Sequence, residues 1–165
     1  MSPELAFTSL FNKKSASANE KNGVVCLLAW KEHGGSCYLY TGKTAPHYDS
    51  VAALCNQGDS NMVTVHSKAE NDYVYNMVKD FHNGNGKDVL IGYRYRSVFD
   101  KFTWLDGSDP VYENWSSRQG MSGLTGGYCT KISYSDNKIT WMNTPCVDQN
   151  YAVVCKMKRP AFLGI

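Results

Sequence analysis

The sequence predicts an α+β domain, and three features of the 165-residue chain carry that expectation. Short apolar runs of strand length stand toward both ends, two amphipathic helical stripes lie between them, and six cysteines are widely spread without a CxxC pair. Strands, then helices, then strands is an α+β order rather than the alternation of a parallel sheet. A chain of this length predicts one domain with a sizeable core. The cysteines stand at 26, 37, 55, 129, 146 and 155. An even number at wide spacing fits disulfides in a secreted, extracellular protein better than reduced core thiols in a cytosolic one. Spacing alone does not choose the pairing.

Taken in order, residues 1–23 read as a flexible leader or appended segment, with the polar run "NKKSASANEKNG" and no apolar stretch of signal-peptide type. The folded domain is expected over 24–158 and a tail over 159–165. "VVCLLAW" (24–30) and "CYLY" (37–40) predict two strands joined through the Gly-containing "KEHGGS". Pro46 then suits a first helical position, and Tyr48, Val51, Ala52 and Cys55 share one helical face, with Gly58 as the stop. Ser67 and Glu70 form a capping box for a second helix. Its expected buried stripe is Val74, Met77, Val78 and Phe81, closed by Asn83 and Gly84. "DVLIGYRYR" (88–96), "FTWL" (102–105), "YCTKISYS" (128–135), "KITWM" (138–142) and "YAVVCKM" (151–157) predict strands, with a turn at Asp136–Asn137. Between Trp115 and Tyr128 runs "SSRQGMSGLTGG", a Gly/Ser-rich loop long enough to expect a function.

A net charge of +2 generates little global field and argues against nucleic acid as the partner. No run approaches the ~18 apolar residues a membrane span needs. Catalytic motifs fail on inspection. "TGKT" (41–44) lacks the leading glycine of a phosphate loop, since Cys37 occupies that place. "NGNGKD" lacks the third glycine of a dinucleotide turn, and "GMSGL" is not a nucleophile elbow. Histidines 33, 47, 66 and 82 show no metal-ligand spacing and read as surface or capping residues. No catalytic residue is nominated, and enzymatic activity is not expected.

From Cys26 onward, "VVCLLAW", "GSCYLY", "AALC", "MVTVHSKAEN", "LIGYRYR", "FTWLDGS", "YENW", "YCTKI", "ITWMNTPC" and "YAVVCKM" follow in an order that resembles a C-type lectin-like domain of the long form, over about residues 26–157. Leu90 stands where the family's central strand usually has Trp. The resemblance implies two helices with antiparallel sheets, an N-terminal hairpin, a long loop region and three disulfides: Cys26–Cys37, Cys55–Cys155 and Cys129–Cys146. It also implies that the last bridge holds the loop region in one shape.

The family's sugar site uses calcium held by carboxylates and amides. Its first ligand triplet, Glu-Pro-Asn or Gln-Pro-Asp, falls here on Gln119, Gly120 and Met121. Its second cluster, Trp-Asn-Asp, falls on Trp141, Met142 and Asn143, and a further carboxylate position holds Gly127. From Ser116 to Gly127 there is no Asp or Glu. Calcium wants several charged oxygen ligands, and thioether sulfur suits it badly. No metal site and no cofactor is therefore expected there. An atypical calcium-dependent lectin built on Asp106, Asp109, Glu113 and Asp148 is the alternative.

The same loop face can recognise ligands without an ion. The candidate ligand-binding residues are Tyr112, Arg118, Gln119, Met121, Leu124, Tyr128 and Asn143. A basic patch is expected from Arg94, Arg96 and Lys101, with Arg94 and Arg96 on one strand face, and with Arg118 it would suit sulfated glycans. Expected partners are a glycan or glycoprotein, or a protein. "NWS" (114–116) is a glycosylation sequon, although the family buries its Trp, which leaves Asn114 poorly placed for modification.

Overall fold

Two long strands decide the layout. The computed structural model describes residues 26–117, 119–120 and 128–158; the expected leader and tail lie outside these residues. Strand β2 (Ser36–Ala45) pairs antiparallel with β8 (Tyr151–Lys158), with Leu39 opposite Cys155. A pleated strand sends successive side chains to opposite faces, so a run that is apolar throughout must be covered on both. Cys37 and Leu39 of β2, with Val153, Cys155 and Met157 of β8, enter one core, which helix α1 (Tyr48–Cys55) closes with Tyr48, Val51 and Cys55. Tyr38 and Tyr40, with Ala152 and Val154, enter a second core, which helix α2 (Lys68–Phe81) closes with Val74, Tyr75 and Val78.

Six further strands extend this pair: β1 (Lys31–His33), β3 (Ser60–Met62), β4 (Val89–Arg96), β5 (Lys101–Trp104), β6 (Cys129–Ser135) and β7 (Lys138–Thr144). The main path runs β1-β2-β8-β4-β6-β7, with β3 on β8 and β5 on β4. Between these strands pairing is antiparallel except for one parallel contact, Val89 opposite Ala152. The β6–β7 turn falls at Asp136–Asn137 as expected, both residues at positive φ.

Three expectations need correction. The first strand lies at Lys31–His33, not 24–30. Gly34 and Gly35, at φ +56° and +84°, form a two-residue turn that pairs His33 with Ser36, so "KEH" becomes strand. Phe81 is 53% exposed rather than part of the buried stripe. It ends α2, where its ring meets Tyr40 edge-on and covers Gly42, at which a Cβ would stand 2.6 Å from the ring. The three-residue β3 was missed, being too short to show a period.

The helix cap holds in a modified form. Ser67 Oγ accepts from the Glu70 N–H at 3.1 Å, while the Glu70 carboxylate accepts from the His66 N–H at 2.7 Å and from Tyr38 Oη at 2.5 Å. Lys156 pairs with the same carboxylate. One residue thus starts a helix and joins it to the central sheet. The disulfides are Cys26–Cys37, Cys55–Cys155 and Cys129–Cys146, the pairing the resemblance implied.

Candidate functional site

The site is built outward from Trp141 on β7, which is fully buried. Its indole Nε1 donates to Asn71 Oδ1 of α2 at 2.7 Å. Tyr93, Trp104, Tyr112 and Trp115 meet its ring at steep angles, with centroids 5.6–5.8 Å away. These edge-to-face contacts suit the aromatic quadrupole. The backbone at 114–116 is drawn alongside β7: Trp141 N donates to Asn114 O at 2.7 Å, and Ser116 N to Trp141 O at 2.9 Å. The long loop therefore leaves from a fixed base.

Gln119 and Asn143 close that base. Asn143 N donates to Gln119 Oε1 at 2.8 Å, and Gly120 N donates to Asn143 Oδ1 at 2.8 Å. Each amide oxygen thus accepts a backbone N–H from the other segment. Gly120 sits at φ +75° against the Trp115 indole, where a Cβ would collide with the ring. Proline, locked near φ −65°, cannot take this conformation. The sequence change at 120 and the amide clasp belong to one local solution.

The family's calcium fits this arrangement poorly. Gln119 and Asn143, the two recognisable amide ligands, spend acceptor capacity on backbone N–H groups, and glycine stands between Gln119 and the Met121 position. Among the described residues no three His, Cys, Asp or Glu side chains gather in a metal-holding group. Of the alternative acids, Glu113 accepts from Tyr93 Oη at 2.6 Å, and Asp106 accepts from Ser108 N at 3.0 Å. Asp109 and Asp148 are exposed. Burial, and then the Glu113 contact, push the Tyr93 phenol well above its ordinary value, so it stays a donor.

The other candidates fall into two groups. Tyr112 is half-buried on Trp141, and Tyr128 is 54% exposed and stacked on Tyr95, with centroids 5.7 Å apart. Tyr95 N donates to Tyr128 O at 2.8 Å, so the loop's exit is bonded to β4. Sequence reasoning missed Tyr95 as Tyr128's partner, although the Tyr-Arg alternation of β4 had already put it opposite the basic face. Arg118, Met121 and Leu124 lie outside the described residues.

The basic candidates share the other face of the β4–β5 hairpin. Arg96 is directly opposite Lys101, and Arg94 is one pleat repeat back. The Arg94 guanidinium lies 5.1 Å from the centre of the Tyr48 ring. At the sequon, Asn114 Nδ2 donates to Ile139 O at 2.7 Å from a half-buried position. A glycan there would have to share that nitrogen with a strand carbonyl.

Comparison with known proteins bears on this geometry. The Lectin C-type domain family model matches residues 44–157. Rheacalcin-1 of Rhea americana is 27% identical over 134 residues, covering 79% of this chain and 94% of that protein. The low affinity immunoglobulin epsilon Fc receptor of Mus musculus is 26% identical over 132 residues, covering 80% of this chain but 37% of the receptor. The chain thus spans nearly all of one relative and about a third of the other. A crystal structure of a calcium-independent type II antifreeze protein superposes with a TM-score of 0.70 at 23% identity, covering 86% of this chain and all of that one, a likeness of fold. The family is one of recognition modules and is generally non-enzymatic. The family match, the three bridges and the shared architecture make this chain a member of the C-type lectin domain family.

Proposed function

We propose that this domain is a non-enzymatic extracellular recognition module that binds a glycan or protein through its long-loop face without calcium. The observation that carries the reading is the Gln119–Asn143 clasp. In a calcium-dependent site the ion ties the loop to the strand and leaves shell positions for sugar hydroxyls. Here backbone-to-amide bonds tie the same segments, and the loop base is preorganised at no cost in ion affinity. Recognition then rests on exposed aromatic and polar groups around Tyr128, with Arg94, Arg96 and Lys101 available to sulfate or carboxylate. Three disulfides suit an oxidising extracellular setting. Among the described residues no helix is long and apolar enough to cross a membrane.

The test is thermal unfolding of the full chain in calcium and in chelator. A ligand at 100 times its Kd adds about 2.7 kcal/mol. For a domain of this size that raises Tm by roughly 5–10 °C. The expected result is equal Tm in both conditions, with glycan-array or protein binding that persists in chelator and weakens in Tyr128→Ala. A calcium-dependent rise of that size would instead identify a calcium-dependent lectin with an atypical ligand set.

A further inference from the structure

We propose that the β4–β5 hairpin docks this domain on an anionic phospholipid bilayer, with Val98 and Phe99 entering the interfacial layer and Arg94, Arg96 and Lys101 meeting the headgroups. The turn between the strands, Ser97–Asp100, carries two adjacent apolar side chains that are mostly exposed: Val98 is 85% exposed and Phe99 58%. Val98 is the most exposed large apolar residue among those described. The turn is nevertheless held. Phe99 N donates to Arg96 O at 2.9 Å, Asp100 N to Ser97 O at 3.3 Å, and Tyr95 Oη to the Asp100 carboxylate. A prebuilt tip loses little conformational entropy on docking.

Charge points to the same occupant. Arg96 and Lys101 face each other at the root of the turn, and Arg94 lies one repeat behind on the same side. The nearby acids are Asp100, already hydrogen-bonded to Tyr95, and Asp49 beside Tyr48. Each cation near an anionic membrane surface contributes about 1 kcal/mol, a factor of about five. On the opposite face Tyr95 and the exposed Tyr128 stack at the base of the tip, and amphipathic rings favour headgroup depth. Shape decides between membrane and protein. A stable protein interface needs about 800 Å² per partner, which a convex two-residue wedge does not supply. A bilayer deforms around such a wedge.

The experiment is cosedimentation of the full chain with phosphatidylcholine vesicles, with and without phosphatidylserine, in chelator. Binding to the anionic vesicles is expected, and binding to neutral vesicles at least ~10-fold weaker. The double variant Val98→Ser/Phe99→Ser should lose ~10-fold or more in vesicle affinity, because burying one such side chain is worth more than a kcal/mol. Its binding to heparin should be unchanged. A Phe99→Trp variant reports insertion directly, as a blue shift of emission when anionic vesicles are added. Absent vesicle binding, a double variant that binds like wild type, or an unshifted Phe99→Trp spectrum overturns the proposal. So does equal loss of heparin and vesicle binding, which would mark the tip as a general polyanion or protein contact. Glycan-array binding is read separately on the Val98→Ser/Phe99→Ser variant, which leaves Tyr128 and the three basic residues in place and should bind like wild type.

Discussion

Asn71 and Trp141 are 70 residues apart in sequence and share a 2.7 Å hydrogen bond in the core. The bond fixes β7 against α2, and the loop base hangs on β7 through Asn114 and Ser116. Replacing Asn71 with Leu leaves the indole N–H buried and unsatisfied. Such a loss costs about 1–3 kcal/mol. Chemical denaturation should show that drop, and Asn71→Asp should not avoid it, because it keeps the acceptor but buries a carboxylate against Asp72.

The amide clasp predicts a separation of stability from recognition. Asn143→Ala removes the acceptor for Gly120 N at a half-buried site. Global stability should fall by about 0.5–1.5 kcal/mol, the net worth of one hydrogen bond. Ligand affinity should fall more, because the loop loses its preorganisation. Isothermal titration beside denaturation tests this; equal losses in both would show that the clasp only stabilises the fold.

Buried phenols predict an alkaline limit. Burial pushes Tyr40 up to about 12 from its ordinary 10.0, and burial, then the Glu70 contact, push Tyr38 well above its usual range. A raised folded-state value means that the folded state binds the phenolic proton more tightly than the unfolded state does. The contribution is therefore fully present below pH ~10 and is lost as pH rises through the folded values. Unfolding midpoints should hold steady to pH ~10 and then decline, with tyrosinate absorbance rising alongside. Tyr40→Phe should flatten the early part of that decline.

Cys55–Cys155 joins α1 to β8 across a sequence separation of 100. Removing it by Cys55→Ala/Cys155→Ala should cost about 2–5 kcal/mol. Removing Cys129–Cys146, with a separation of 17, should cost less stability but more ligand affinity, since it joins the loop's exit to the end of β7. Melting temperatures and binding curves of the two double variants give the comparison.

Local chemistry alone revealed the helix stripes, the Ser67 cap, the Asp136–Asn137 turn and the strand runs after the first, because each has a period or a dihedral demand that neighbouring residues satisfy. The same reading showed that the loop from Ser116 to Gly127 has no acid. The disulfide pairing came only through the family resemblance. Tertiary structure decided the rest. Glu70, recognised as a capping residue, also receives Lys156 from 86 residues away. Phe81 fitted the helical period but, as the last residue of α2, only lays its ring over Tyr40 and Gly42 of β2 and stays 53% exposed. Gln119 and Asn143 read as candidate ligand contacts, and their bonds to each other's backbone exist only because the aromatic nest around Trp141 brings the loop to β7. Period and dihedral preference act over a few residues and are written locally. Which donor meets which acceptor across 24 positions depends on the packing of the whole chain.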